Sequence, residues 1–147
     1  MRQMVSQLNL DRPSNVGLVT AIRNYVEKFQ QHTKIECILA LPNDELVLDA
    51  KQSDTLFRIV QESLNNVVKH SQASEVHIHL KKRGKSLILK VEDNGIGFSL
   101  SKHKEESFGL LGIRERALMV GGKARITGKP GKGTQVSTSI PLQAGQE

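Results

Sequence analysis

Asp93 follows Leu87, Leu89 and Val91 at two-residue steps, so it continues the apolar face of a strand before entering the glycine turn Asp93-Asn94-Gly95-Ile96-Gly97. A carboxylate on a core face must be paired or hydrogen-bonded, because burying it alone is costly. A ligand that donates a hydrogen bond would meet that need, and the two glycines would let the backbone come close to a flat ligand. The same five residues also fit an Asx-turn at a strand end. A second group lies upstream: Glu62, Asn66 and Lys69 fall at helical steps of four and three, within about 60° of one another. Together they offer an oxygen for Mg²⁺, a carboxylate able to act as a base or to organise a metal, and a cation for phosphates. Magnesium suits such a set because it keeps several waters and takes few protein ligands. The spacing predicts that this polar edge faces outward, opposite the apolar stripe, and a solvated helix face would also explain it. A third group, Ser107-Phe108-Gly109-Leu110-Leu111-Gly112, opens a helix whose free N–H groups and positive dipole end suit an anion. Arg114 and Arg116 just beyond either add charge there or are solvated.

These residues need elements to hold them. Val16, Val19, Ile22, Val26 and Phe29 predict a helix over residues 14–32 with Ser14 as its N-cap. Ile35 to Leu41 alternates as a strand, and Pro42-Asn43-Asp44 turns the chain. The strongest helix runs from about Ser53 to His70, with Leu56, Ile59, Val60, Leu64, Val67 and Val68 as its apolar stripe. Strands over 75–82 and 86–93 follow, joined by a turn at Arg83-Gly84-Lys85-Ser86. After a polar loop over 94–107, a helix from about Leu110 to Val120 ends at Gly121-Gly122. A hairpin over 123–127 and 134–142 closes the chain. Hairpins outnumber crossovers, so the fold class is α+β: a two-layer sandwich whose mixed, mostly antiparallel sheet is covered on one face by about three helices.

A chain of 147 residues suits a single domain spanning 1–147. No apolar run is long enough to span a membrane, and the first ten residues lack the apolar core of a signal peptide. The single Cys37 shares parity with Ile35, Leu39 and Leu41, which predicts a buried structural thiol and fits a reducing cytoplasm. The net charge of +6 favours an anionic partner. With aromatics at only 3%, little remains for base stacking, which argues against nucleic acid. The basic run Lys81–Lys85 reads as a solvated turn, and His77 and His79 as the solvent side of a strand. The ordinary phosphate loop, Gly-x-x-x-x-Gly-Lys-Ser/Thr, is absent from the sequence.

Taken together and in order, the three groups resemble a known family. Glu62-Ser-Leu-Asn-Asn66-Val-Val-Lys69-His70 is similar to the N-box of sensor histidine kinases. Asp93-Asn-Gly95-Ile-Gly97-Phe98 resembles their first glycine box, and Gly109-Leu-Leu-Gly112-Ile-Arg-Glu-Arg116 the second. Gly131-Lys-Gly133-Thr134, with the strand after it and Pro141, matches the closing segment. The whole resembles the Bergerat ATP-binding domain shared by gyrase, heat-shock chaperone, histidine kinase and mismatch-repair ATPases. The second glycine box, with Arg12-Pro13, Gly17-Leu18 and Ala21, is closest to the nitrate-sensor and membrane-fluidity-sensor kinases.

The resemblance implies ATP and Mg²⁺ as ligands. Asp93 would accept from the adenine amino group, with Thr134 assisting through water and with Gly95 and Gly97 shaping the adenine end. Asn66 would bind Mg²⁺, with Lys69 and His70 near the phosphates, while Gly109, Leu110 and Gly112 would offer backbone N–H groups to the phosphate chain. Residues 98–108 would form a lid, and Glu62 would activate water or organise the metal. The implied activity is transfer of the γ-phosphoryl group to a histidine on a separate dimerisation domain, with a response regulator downstream and no direct membrane contact. Ser107 replaces a glycine common in the family. None of the five histidines precedes an acidic residue as a phosphoacceptor would. The chain therefore reads as the catalytic part of a larger kinase, with 1–13 the tail of a linker, and as unable to phosphorylate itself alone. A nucleotide-binding regulatory module and an anti-sigma-type serine kinase are the rival readings.

Overall fold

A computed structural model of the chain describes residues 12–97 and 109–146. The segments before residue 12 and over 98–108, with Phe98, His103 and Ser107, lie outside the described residues. In chain order the elements are α1 (Pro13–Val16), α2 (Leu18–Thr33), β1 (Glu36–Ala40), α3 (Ala50–Asn66), β2 (Glu75–Arg83), β3 (Ser86–Asp93), α4 (Leu110–Met119), β4 (Lys123–Lys129) and β5 (Gly133–Pro141). A π-turn over Val67–Ser71 extends α3. The strands form one sheet in the order β1-β2-β3-β5-β4, in which only the β1–β2 pair is parallel. This is the mixed, mostly antiparallel sheet expected.

The core lies between one sheet face and the helices. Val76, Ile78 and Leu80 of β2 and Leu87, Leu89 and Val91 of β3 join Val136 and Ile140 of β5 in a single buried cluster. Leu18, Ile22 and Val26 of α2, Leu56, Ile59, Val60 and Leu64 of α3, and Leu110, Ile113 and Ala117 of α4 complete it. The alternating parity that buries Leu87, Leu89 and Val91 leaves Ser86, Ile88, Lys90 and Glu92 on the other, uncovered face. His77 and His79 share that face, half-buried, with their rings stacked 6.2 Å apart. His77 Nε2 lies 2.5 Å from Glu75 Oε1. Among the described residues, no helix is long and apolar enough to cross a membrane.

Five local expectations change. The predicted helix over 14–32 is broken at Gly17, where φ is +92°. Ser14 is not its N-cap: it lies inside α1, which starts on Pro13 and is flanked by Arg12 without a side-chain cap. The free N–H groups of α2 are served instead by Glu45, whose carboxylate accepts from Val19 N at 2.9 Å and Thr20 N at 2.8 Å. The main helix begins at Ala50 rather than Ser53, because Asp49 and Gln52 close a capping box: Gln52 N donates to Asp49 Oδ1 at 2.7 Å, and Asp49 N to Gln52 Oε1 at 3.0 Å. Val68 leaves the apolar stripe and is 50% exposed, since the wider π-turn shifts the helical phase from Val67 onward. Cys37 is half-buried on the edge strand, and burial followed by the neighbouring Glu36 carboxylate pushes its thiol up to about 11.

Candidate functional site

The C-terminal end of α3, the end of β3 and the start of β5 meet around one narrow cleft. Asn66, Val67, His70 and Ser71 contribute from α3 and its π-turn, Val91 and Asp93 from β3, and Thr134 and Val136 from β5. Ser63 and Leu110, the first residue of α4, complete the wall. About 360 Å³ of unfilled space opens to solvent here, of which a water molecule's centre can occupy about 20 Å³. That is room for about one water, so a larger ligand must widen the walls.

Asp93 satisfies both readings of its turn. Its Oδ1 accepts from Gly95 N at 2.8 Å, which is an Asx-turn, and the same carboxylate lines the cleft. Burial pushes its pKa up; the backbone N–H groups of Gly95 and Thr134 pull it down, and burial wins. A carboxylate offers about four lone-pair sites, so two backbone donors leave capacity for a ligand. The neighbouring Asn94 is structural: its Oδ1 accepts from Ser74 N and Glu75 N, each at 3.0 Å, and ties the turn to the start of β2.

Two glycines let this corner close. A Cβ on Gly95 would lie 2.1 Å from the Ser71 carbonyl oxygen, which accepts from Ile96 N at 2.7 Å. Gly133, with φ +96°, brings the β4–β5 turn so near β3 that a Cβ would lie 2.0 Å from the Asp93 carbonyl oxygen. Only this approach sets Thr134 beside Asp93.

At the rim, Arg116 of α4 grips Glu62 of α3. Its Nε donates to Glu62 Oε1 at 3.0 Å, and its Nη2 lies 2.9 Å from the same oxygen. Glu62 Oε2 is buried without a partner among the described residues, and a Cβ on Gly112 would lie 3.6 Å from it. The expected outward-facing polar edge is therefore half-buried: Glu62 faces α4 and Asn66 lines the cleft, because α4 packs across that side of α3.

The sequence matches the family described as histidine kinase-, DNA gyrase B- and HSP90-like ATPase over residues 51–144, well over half its length. The chain belongs to this ATPase family. Among curated relatives, it is 34% identical over 142 residues to the signal transduction histidine-protein kinase/phosphatase DegS of Brevibacillus brevis, covering 97% of this chain and 37% of that protein. It is also 34% identical over 142 residues to the sensor histidine kinase LiaS of Bacillus subtilis, covering 97% and 39%. The chain thus spans less than two fifths of these relatives. Among solved structures, the histidine kinase domain of the Erythrobacter litoralis EL346 blue-light activated kinase superposes with a TM-score of 0.72 at 20% identity, covering 85% of this chain and 61% of that one. The Acinetobacter baumannii kinase AdeS gives 0.69 at 16%, covering 95% and 75%. These two share the fold.

Within this ATPase-family domain, the fold brings Asn66, His70, Asp93, Leu110 and Thr134 to one cleft. Glu62 and Gly112 meet beside it, while Lys69 is exposed and does not line it. Gly109 is the left-handed residue preceding α4, and Gly97 packs under the β4–β5 turn. Sequence reasoning missed Ser63, Val67, Ser71, Val91 and Val136 as cleft residues. The parity that singled out Asp93 could have found two of them, since Val91 precedes it by two and Val136 follows Thr134 by two. Val91 and Val136 are direct cross-strand partners.

Proposed function

We propose that this chain is the catalytic domain of a two-component sensor histidine kinase, binding Mg·ATP and handing the γ-phosphoryl group to a histidine on a separate dimerisation segment. The observation that carries this reading is Asp93: a half-buried, raised-pKa carboxylate beside an apolar cleft that still has capacity for a hydrogen-bond donor. Val67, Val91, Val136 and Leu110 suit the faces of a flat ring, and Asp93 suits an exocyclic amine. Thr134 Oγ1 is buried without a partner among the described residues, ready to assist at the ring edge.

Towards the rim, Asn66 would hold Mg²⁺, with Lys69 and His70 near the phosphates and with Gly109, Leu110 and Gly112 offering backbone N–H groups. Among the described residues, no three His, Cys, Asp or Glu side chains cluster as a metal cage. A metal held here would take an Asn66 oxygen and borrow the rest of its shell from phosphates and water. When bound, Mg²⁺ would neutralise charge on the bridging phosphate oxygens. Glu62, with Oε1 held by Arg116, keeps Oε2 for a water of that shell, which favours an organising role over that of a base. Catalysis then rests on positioning rather than covalent participation. The names of the 34%-identical relatives support the kinase reading, which would place the domain in the cytoplasm where ATP is present.

Calorimetry with Mg·ATP should give Mg²⁺-dependent binding in the micromolar to millimolar range. Mixing the chain with its parent's dimerisation segment and γ-labelled ATP should then label the segment with an acid-labile phosphate, as a phosphohistidine is. No heat with ATP would sink the proposal, and an acid-stable label would point to a serine kinase on the same fold.

A further inference from the structure

Ser63 lies within the buried stripe of α3, near Ile59, Val60, Leu64 and Val67, and is 3% exposed. A mid-helix serine ordinarily turns to solvent or bonds back to the carbonyl one turn earlier. Ser63 does neither: its Oγ is buried and has no hydrogen-bond partner among the described residues. An aliphatic residue would fill the position without leaving a polar group unmade, so the hydroxyl works against the helix that carries it.

Ser63 lines the cleft that Asp93 and Thr134 also line, and Thr134 Oγ1 is likewise buried and unpartnered. Three polar side chains therefore converge beside Val67, Val91, Val136 and Leu110, in a wall that Asn66, His70 and Ser71 complete. An ionised carboxylate only accepts, whereas each hydroxyl can donate or accept. The base edge that satisfies this set has an amino group beside a ring nitrogen acceptor, which is the N6 and N1 edge of adenine. In the same pose guanine would set its O6 against the carboxylate. Depth gives the orientation: Ser63 is more buried than the half-exposed Asn66 one turn later, so it meets the base while Asn66 meets the charged end.

We propose that Ser63 is a base-specificity residue, its hydroxyl donating to the ring nitrogen next to the adenine amine, directly or through one water, while Asp93 accepts from the amine. This rests on the adenine-site reading above and adds a residue which that reading does not use.

The test compares ATP, 1-deaza-ATP (C–H in place of N1) and purine riboside triphosphate (no amine) on the wild type, Ser63→Ala and Asp93→Asn. Ser63→Ala should weaken ATP and purine riboside triphosphate alike, each by about tenfold, and 1-deaza-ATP by less than about twofold. Asp93→Asn should show the reverse pattern, its loss largely vanishing for purine riboside triphosphate. The ligand-free Ser63→Ala protein should unfold at or above the wild-type temperature, because alanine removes an unmade bond and is the better helix former. A Ser63→Ala protein that binds ATP within twofold of wild type overturns the proposal, as does one that loses ATP and 1-deaza-ATP equally. A drop in unfolding temperature with nucleotide affinity unchanged would overturn it too, making Ser63 a structural residue. If the wild type itself bound no ATP, the adenine-site reading would fall with it. A wild type sensitive to Asp93→Asn but not to Ser63→Ala would leave that reading standing and remove only the role of Ser63.

Discussion

The two ends of α3 solve opposite problems. At its start the capping groups close on the protein itself: Asp49 and Gln52 complete a capping box, and the Gln52 amide exchanges two bonds with Gln146, at 2.7 and 3.2 Å. Gln146 Oε1 also accepts from Gln143 N at 2.9 Å, which ties the C-terminal tail to the helix start. At its far end the helix loosens into a π-turn that stops at Gln72, with φ of 54°. There, among the described residues, Glu62 Oε2 and Ser63 Oγ are buried without partners, and Thr134 Oγ1 across the cleft is the same. The capped end serves stability. The other keeps unspent hydrogen-bonding capacity in a dry setting, where a ligand's groups count for most.

This contrast separates the effects of mutations. Asp93→Asn should reduce ATP affinity about 10- to 100-fold, the scale of a lost hydrogen bond to a charged group, as read by calorimetry. The same variant exposes a linkage. Because burial raises the Asp93 pKa, the folded state binds this proton more tightly than the unfolded one does. The stability it contributes is fully present below its ordinary value of 3.8 and is lost as pH rises through the raised folded value. Wild-type stability relative to Asp93→Asn should therefore rise as pH falls through the carboxylate range, in denaturant titrations of the ligand-free protein. The opposite slope would mean that Asp93 is held by a hidden donor.

Gly133→Ala attacks the same end through the backbone. It should destabilise the fold by at least about 1 kcal/mol, from positive φ and the clash with the Asp93 carbonyl, and weaken ATP as well by moving Thr134. Asp49→Ala attacks the capped end, and urea unfolding should show a loss of about 1 kcal/mol with nucleotide affinity unchanged. A parallel loss of affinity would show that the two ends are coupled. Arg116→Ala should have the smallest effect on stability, less than about 1 kcal/mol, because solvent screens an ion pair whose arginine is 37% exposed.

Much of this was legible in the sequence because it depends on local periodicity. Strand parity placed Asp93 on the inner face beside Leu89 and Val91, and the turns at Gly84 and Gly131 set the hairpin registers Arg83↔Ser86 and Lys129↔Gly133. Ser63 was legible in principle, as a polar residue inside an apolar stripe. The exposure of Lys69 agrees with the outward-facing edge that its spacing predicts, but nothing local announced Glu45 as the cap of α2 or the grip of Arg116 on Glu62. Each of these two depends on residues tens of positions apart meeting.

The order of residues, then, determined which faces turn inward, where the chain reverses and which side chains had chemistry to offer, since these follow from the fixed periods of helix and strand. Tertiary packing alone decided which polar atoms stay unmatched. Whether Ser63 or Glu62 finds a partner depends on what β3, β5 and α4 bring against it, and no period in the chain encodes that.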